Sequence, residues 1–205
     1  LPTAGIRRGM RCFVAGDSRV NELTGLVTTH ALFLREHNRV AKALGQLNMD
    51  WDDDKIYEET RRIVAACVQH VMMNEFAPQL LGARLINEYK LKPSAGGYWH
   101  GYDPSVTIST GTGFAAAAFR YGHSMIEGVI RQLDAHTGHY IKGQLLRFLF
   151  KRPFLLYEPG AIDQLIAGML LTPAEQTDPY VSQELSGHLF QPAKAKFGHD
   201  LAAIN

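Results

Sequence analysis

The sequence predicts a mainly α fold, and three observations support that prediction. Residues 20–44 and 55–74 repeat apolar side chains every three or four positions, which is the period of a helix that buries one face. Residues 115–118 are four consecutive alanines, and alanine has the highest helix propensity. No segment shows the clear alternation of apolar and polar residues that is typical of a half-buried strand.

Composition narrows the possible functions. The chain has 205 residues, of which 46% are hydrophobic and 20% charged, and this is enough for one sizeable globular core. Its formal net charge is +1, so we expect no bulk electrostatic attraction to nucleic acid or to a membrane surface. The sequence has no apolar run long enough to predict a membrane span. It begins with leucine rather than methionine, and we expect it to be a piece of a longer protein.

Two long helices dominate the first half of the chain. The first is predicted over residues 20–44, after an irregular segment, residues 1–18, that proline and glycine interrupt. The second is predicted over residues 55–74 as a core helix. Its apolar stripe consists of Ile56, Thr60, Ile63, Val64, Cys67, Val68, Val71 and Met72.

Three aspartates precede the second helix. Asp52, Asp53 and Asp54 are placed where an acidic side chain favours a helix N-terminus. Carboxylates in a row could also bind a metal. The glycine and glutamate that complete a calcium loop do not follow them, so capping is the favoured interpretation.

A long loop is predicted in the middle of the chain. Pro78 and Gly82 are expected to end the second helical region, and residues 85–91 to form a short helix. Residues 93–113 are rich in glycine, proline, serine and threonine, and long ordered loops are commonly functional. The alanine-rich helix is predicted to follow over residues 113–127.

Shorter elements are predicted in the last third. Residues 136–139, His-Thr-Gly-His, indicate a turn; the two histidines could be half of a metal site, but no further ligands lie near them in the sequence. A helix is predicted over residues 161–171, and a helix and loop over residues 177–192. The helix is predicted to face inward with Ile162, Leu165, Ile166 and Met169.

Three side chains of the alanine-rich helix are predicted to face one space. Counting back from His123, Arg120 lies three residues away and Phe119 four, so an α-helix places them on one face. Gly122 has no side chain, which lets a large flat group approach the backbone. An imidazole for iron, a guanidinium for a carboxylate and an aromatic wall together indicate a haem site. A single histidine on an apolar helix is also compatible with an ordinary core or surface position.

Four motifs carry a resemblance to a known family. They are CFVAGDSRVNE at residues 12–22, LREHNR at 34–39, FRYGH at 119–123 and DLAAIN at 200–205. In this order and at this spacing they resemble the animal haem peroxidases, the family of myeloperoxidase, thyroid peroxidase and peroxidasin. The resemblance implies that residues 1–205 are a single domain with that family's helical fold, but an incomplete one. It would be the central part, without the N-terminal segment that carries the distal histidine and without the C-terminal part.

The resemblance assigns roles around the haem. It implies haem b (iron protoporphyrin IX) as the cofactor and His123 as its proximal iron ligand, with Asn205 accepting a hydrogen bond from the other ring nitrogen of His123. Arg120 would pair with a haem propionate. The cluster at residues 35–39 is expected to be a structural polar network, and His37 is not assigned as the distal histidine.

The resemblance also assigns Arg19 and Glu22. Arg19 would be the catalytic arginine that stabilises charge during cleavage of the peroxide O–O bond, and Glu22 would form an ester to a haem methyl. We expect them to share a helical face, where they could equally be an i,i+3 surface pair. Leu23 stands where myeloperoxidase has a methionine that makes a further haem link, so strong chloride oxidation of that type is not expected.

The implied activity is reduction of hydrogen peroxide coupled to oxidation of a halide, a phenol or a protein tyrosine. Two alternatives are an inactive peroxidase-like adhesion or matrix protein and a relative of the cyclooxygenases or fatty-acid dioxygenases. The resemblance implies secretion or storage in secretory granules, with Cys12 paired to a cysteine upstream of this sequence. It likewise places the distal histidine, a second ester-forming aspartate and a calcium loop upstream.

Overall fold

The computed structural model describes residues 9–192 and 194–204. The chain divides into two compact units, one made of Leu1–Leu32 with Thr110–Asn205 and the other of Phe33–Ser109. The mainly α prediction is confirmed. The helices are α1 (Thr24–Leu47), α2 (Asp53–Val71), α3 (Ala77–Glu88), α4 (Thr112–Ala116), α5 (Ala161–Leu171), α6 (Gln183–Ser186) and α7 (Leu201–Ile204), and the strands are β1 (Val129–Leu133) and β2 (Tyr140–Leu145). Across the described ranges, no helix combines the length and the hydropathy that a bilayer crossing demands.

The first helix begins later than the sequence predicts, because residues 17–22 form turns. The Asp17 carboxylate accepts a hydrogen bond from the backbone N–H of Arg19 at 2.7 Å, and this local bond competes with helix formation. Helix α1 starts at Thr24, which is fully buried and whose hydroxyl donates to the Leu149 carbonyl at 3.3 Å. The start of α1 is therefore fixed against residues that lie about 125 positions further along the chain.

A β-hairpin corrects the expectation that the chain lacks strands. Strands β1 and β2 pair antiparallel, with Val129 opposite Leu145, and the predicted turn at residues 136–139 joins them. The carboxylate of Asp134 accepts the backbone N–H of Thr137 at 2.8 Å, and Gly138 adopts a φ of 71°. The alternation is hidden from the sequence because neighbouring residues, Gln132 and Leu133, are both buried.

Helix α5 forms over the predicted residues and packs on β1. A Cβ atom added to Gly168 would lie 1.9 Å from the Arg131 carbonyl oxygen, so this contact requires glycine. The close approach turns the small residues Ala161, Ala167 and Gly168 inward together with Leu165. Met169, predicted to face inward, is exposed instead.

Among the described residues of the first unit, two buried apolar clusters form the core. One consists of Val20, Val27, Leu156 and Leu165. The other, the lower cluster, consists of Leu146, Phe150, Leu185 and Leu189, with Leu23, Ile126, Ile130, Phe190 and Leu201 packed against it. The segment that carries Arg19 and Glu22 leads from the first cluster, at Val20, to the lower one, at Leu23.

In the second unit, the aspartate cap is confirmed and the core helix is not. The Asp52 carboxylate accepts the Lys55 backbone N–H at 2.8 Å, as a helix cap does. Of the predicted apolar stripe of α2, only Thr60 is buried, and Cys67 is exposed. The periodicity therefore predicts the helix correctly, but within this chain the apolar face of α2 is left largely uncovered.

The rest of the second unit departs from prediction at a proline and a glycine. Residues 72–76 widen into a π-helical turn, and α3 then runs through Pro78 to Glu88. Gly82 does not end this helix but interrupts it with a φ of 75°. Residues 93–111 form the predicted loop. In the cluster at residues 35–39, the Arg39 guanidinium donates to Glu36 at 2.7 Å and 2.8 Å, which is an i,i+3 pair on the helix surface.

Candidate active site

Arg19 and Glu22 lie on a turn, not on a helical face. The backbone N–H of Glu22 donates to the Arg19 carbonyl at 2.8 Å, and that of Val20 to the Asp17 carbonyl at 3.2 Å. An i→i+3 turn still brings these two side chains to one side of the chain. Both side chains line one pocket, but the shared helical face that the sequence predicts for them is wrong.

The Arg19 guanidinium is held by Asp17. Its Nε lies 3.0 Å from one carboxylate oxygen of Asp17 and its Nη2 lies 2.7 Å from the other. Hydrogen bonds from Arg19 hold the pKa of Asp17 far below its usual range, and Asp17 in turn raises the pKa of Arg19. The Arg19 side chain is 73% exposed, so solvent weakens the pair but the fork geometry still fixes its direction. Arg19 thus pairs with Asp17 rather than with Glu22.

Glu22 is positioned by the segment after β2. Its carbonyl accepts the backbone N–H of Lys151 at 2.8 Å, and the next residue, Leu23, forms an antiparallel bridge with Phe150. These backbone contacts join two segments that lie about 130 residues apart in the sequence. They fix the peptide unit from which the half-buried Glu22 side chain extends.

Arg120 and His123 lie on a 3-10 helix. The α-helix predicted over residues 113–127 breaks at Ala117, and residues 118–125 continue with three residues per turn. At that period, residues i and i+3 lie directly above one another, so Arg120 and His123 still share a face. Residue i−4 is rotated away, and Phe119 packs against Phe114, with a ring centroid distance of 5.6 Å. Phe119 is therefore wrong as the aromatic wall.

The side chains of Arg19, Glu22, Arg120 and His123 meet in one pocket of about 400 Å³, the central pocket. Its lining consists of Arg19, Glu22, Leu23, Arg120, His123, Ile126, Phe150, Leu185, Leu189, Phe190 and Leu201. The apolar members all belong to the lower cluster or pack against it, so one core region forms the wall that Phe119 is predicted to supply. Asn205, the remaining predicted site residue, lies outside the described residues.

A second pocket of about 420 Å³, the side pocket, adjoins the central one. Its lining consists of Cys12, Ser18, Arg19, Asn21, Glu22 and Lys151. Because Arg19 and Glu22 line both pockets, they form the shared boundary between them.

Two polar anchors of the site were not assigned from the sequence. The Asn21 side chain accepts the Phe13 backbone N–H at 2.9 Å and donates to the Phe13 carbonyl at 2.8 Å, as a paired strand would. The Tyr157 hydroxyl donates to the Arg11 carbonyl at 3.0 Å. Asn21 lies within the first motif, between Arg19 and Glu22, and that position was a signal that it supports them.

An ion pair with a buried carboxylate adjoins the apolar wall. Glu184 is 4% exposed and accepts the Arg147 backbone N–H and guanidinium Nε, each at 2.9 Å, as well as the Arg147 Nη2. Burial raises the pKa of Glu184, but hydrogen bonds and charge from Arg147 outweigh it and leave that pKa below its usual value. Leu185, the next residue, lines the central pocket, so this pair fixes the wall.

The donor set suits a haem better than a bare metal ion. In the described residues, no group of three or more histidine, cysteine, aspartate or glutamate side chains is arranged to hold a metal. A haem iron needs only one protein imidazole on the proximal side, because the porphyrin provides four nitrogens. The central pocket offers such an imidazole in His123, two guanidinium groups and an apolar wall.

Comparisons with known proteins agree with this donor set. The profile of the animal haem peroxidase family matches residues 2–205. Chorion peroxidase of Aedes aegypti is 38% identical over 95% of this chain and 24% of its own length. Thyroid peroxidase of Sus scrofa is 38% identical over 95% of this chain and 20% of its own length, and peroxidasin of Drosophila melanogaster is 38% identical over 96% and 12%.

A solved structure has the same fold. Peroxidase A from Dictyostelium discoideum superimposes with a TM-score of 0.78 at 28% identity, covering 93% of this chain and 34% of that one. The chain thus spans about a quarter or less of the three curated relatives and a third of the solved one.

Proposed function

This chain belongs to the animal haem peroxidase family, and on that premise we propose that its central pocket binds haem and serves the reduction of hydrogen peroxide. The observation that carries the proposal is the meeting of Arg19, Glu22, Arg120 and His123 in one pocket with an apolar wall. Bound haem iron would supply the redox chemistry. The chain's own residues would bind and orient the cofactor and stabilise charge.

His123 would hold the iron through a ring nitrogen. Arg120 would pair with a propionate, since a guanidinium matches a carboxylate. Asn205 would accept a hydrogen bond from the other ring nitrogen of His123, which fixes the ring orientation and the tautomer. An amide oxygen carries no full charge, so it would leave the imidazole less electron-rich than a carboxylate partner would.

Arg19 would act on the peroxide. Cleavage of the O–O bond places negative charge on the departing oxygen, and a guanidinium stabilises that charge more than it stabilises neutral peroxide. Asp17 supports this role because its two bonds to Arg19 limit the directions in which the guanidinium can point. Glu22 would attach the cofactor through an ester to a haem methyl.

The remaining assignments extend the proposal to the whole protein. The electron donor would be a halide, a phenol or a protein tyrosine, and the protein would be secreted or stored in secretory granules. Residues 1–205 would be the central part of one domain. The general acid–base for the peroxide proton and a calcium site would come from other parts of that domain.

The test is His123→Ala in the full-length protein, with His136→Ala as the control. His136 is an exposed histidine on the hairpin turn, so its loss removes the same chemical group without touching the central pocket. We expect His123→Ala to lose both the Soret absorption band and peroxidase turnover, while His136→Ala keeps both. A Soret band and turnover retained in His123→Ala would refute His123 as the ligand. A wild-type protein with a Soret band but no turnover would indicate an inactive scaffold.

A further inference from the structure

Two non-glycine residues beside the central pocket adopt left-handed backbone conformations. Lys151 and Phe190 both have a φ of 52°. Residues other than glycine, asparagine and aspartate rarely adopt this backbone conformation, because their Cβ atom crowds the following carbonyl. Such a conformation persists only where surrounding contacts hold it, and it is enriched at functional sites.

These two residues contact each other. The Lys151 ammonium nitrogen lies 4.4 Å from the centroid of the Phe190 ring, within the range of a cation–π interaction. The Phe190 ring meets Phe150 edge-on at 5.3 Å and lines the central pocket.

Lys151 also holds Glu22 through its backbone. Its left-handed conformation coincides with the 2.8 Å hydrogen bond from its N–H to the Glu22 carbonyl. Lys151 therefore touches the pocket lining at two points: the peptide of Glu22 through its N–H, and the ring of Phe190 through its ammonium group. Its side chain and that of Glu22 both line the side pocket.

We propose that Lys151 is a positioning residue that aligns Glu22 and Phe190 for attachment of the cofactor. This inference rests on the proposed function, because it concerns the ester of Glu22. Forming that ester joins a carboxylate oxygen of Glu22 to a haem methyl carbon, with loss of one proton and two electrons from the methyl group. Hydrogen peroxide accepts the two electrons and, with two protons, gives two molecules of water.

The experiment measures how fast haem becomes attached to the full-length protein. Haem-loaded protein is given limiting hydrogen peroxide, and haem that resists acid-acetone extraction is quantified against time. The variants are Lys151→Met, which keeps an unbranched chain one atom shorter and loses the charge, and Lys151→Arg, which keeps the cation. The matched control is Lys196→Met, since Lys196 lies over the ring of Phe197 at 5.4 Å and lines neither pocket.

We expect Lys151→Met to slow attachment about two- to fivefold, the equivalent of one exposed cation–π interaction. Lys151→Arg should restore the rate, and Lys196→Met should match wild type. The Soret band should be unchanged in all three variants, which separates attachment from haem binding.

An unchanged rate in Lys151→Met, or an equal loss in Lys196→Met, would overturn the positioning role. A wild-type Soret band with fully extractable haem would overturn it too, because no ester then forms, but would leave haem binding intact. The absence of any Soret band in the wild type would overturn the proposed function itself.

Discussion

The unit with the central pocket has an ion pair between distant segments as well as local pairs such as Arg19 with Asp17. In the unit formed by Phe33–Ser109, ion pairs join neighbours on one helix, such as Glu58 with Arg61 at 3.1 Å and Arg84 with Glu88 at 2.8 Å. In the unit that contains the central pocket, Arg147 reaches Glu184 across 37 residues. The first kind of pair can be formed by a helix alone. The second exists only when distant segments have come together.

This difference bears on function as well as on folding. A surface pair on one helix is largely solvated and contributes little to stability. In the Arg147–Glu184 pair the carboxylate is buried beside the pocket wall, where an uncompensated charge is costly. The geometry of the candidate site should therefore depend on long-range polar contacts, and the helices of the other unit should tolerate loss of theirs.

The sharpest contrast is expected from Glu184→Ala. Removing this buried carboxylate leaves the Arg147 side chain, which is 22% exposed, without its partner, so we expect a loss of about 3 kcal/mol in the free energy of unfolding, the lower end of the range for a buried pair. Chemical denaturation in urea measures it. Glu88→Ala, which breaks the exposed pair with Arg84, should cost only about 0.3–0.5 kcal/mol. Equal losses at the two sites would mean that burial does not distinguish them.

The Arg147–Glu184 pair also predicts how the free energy of unfolding depends on pH. The pKa of Glu184 is lowered in the folded state, so its contribution to stability is fully present above the ordinary glutamate pKa. It should be lost as the pH falls from that value through the folded pKa, because the carboxylate then binds a proton and weakens its bonds to Arg147. Urea unfolding measured across the acid range should show a steeper fall for wild type than for Glu184→Gln. Parallel curves would contradict the assignment.

A smaller loss is expected where α5 meets β1. Gly168→Ala places a Cβ against the Arg131 carbonyl, and the two elements must separate, at a cost of about 1–3 kcal/mol. Gly113→Ala, in α4, is the control, because an added Cβ there meets no atom within 4 Å. It should be neutral or gain up to about 1 kcal/mol from helix propensity. Thermal unfolding of both variants measures the difference, and a similar loss for Gly113→Ala would discount the contact.

What the sequence predicted well depends on local periodicity and on motifs. The period of three and four residues located α1, α2 and α5, and the aspartate cap was correct because a cap needs only its own helix. The first motif predicts that Arg19 and Glu22 lie close together, and they line one pocket, although they lie on a turn and not on the predicted helix.

What the sequence missed depends on contacts between distant segments. The strand β1 was invisible because Gln132 is buried beside Leu133, and its amide is satisfied by Gln164, 32 residues away, at 2.9 Å. The pocket wall was assigned to Phe119, whereas the lower cluster provides it. Local sequence could not indicate that the helix before His123 tightens to three residues per turn and moves Phe119 away.

A smaller effect than that of Gly168→Ala is expected from the helix cap in the unit formed by Phe33–Ser109, and it tests whether local contacts there act locally. Asp52→Ala removes the cap of α2 and should cost about 1 kcal/mol, because the Lys55 backbone N–H loses its acceptor. Asp52→Asn should restore most of it, since the amide oxygen still accepts that bond. Chemical denaturation gives the loss, and the Soret band of the haem-loaded full-length protein gives the state of the pocket. We expect Asp52→Ala to lower the free energy of unfolding and to leave the Soret band unchanged. A cap variant that altered haem binding would show that the site depends on α2 as well.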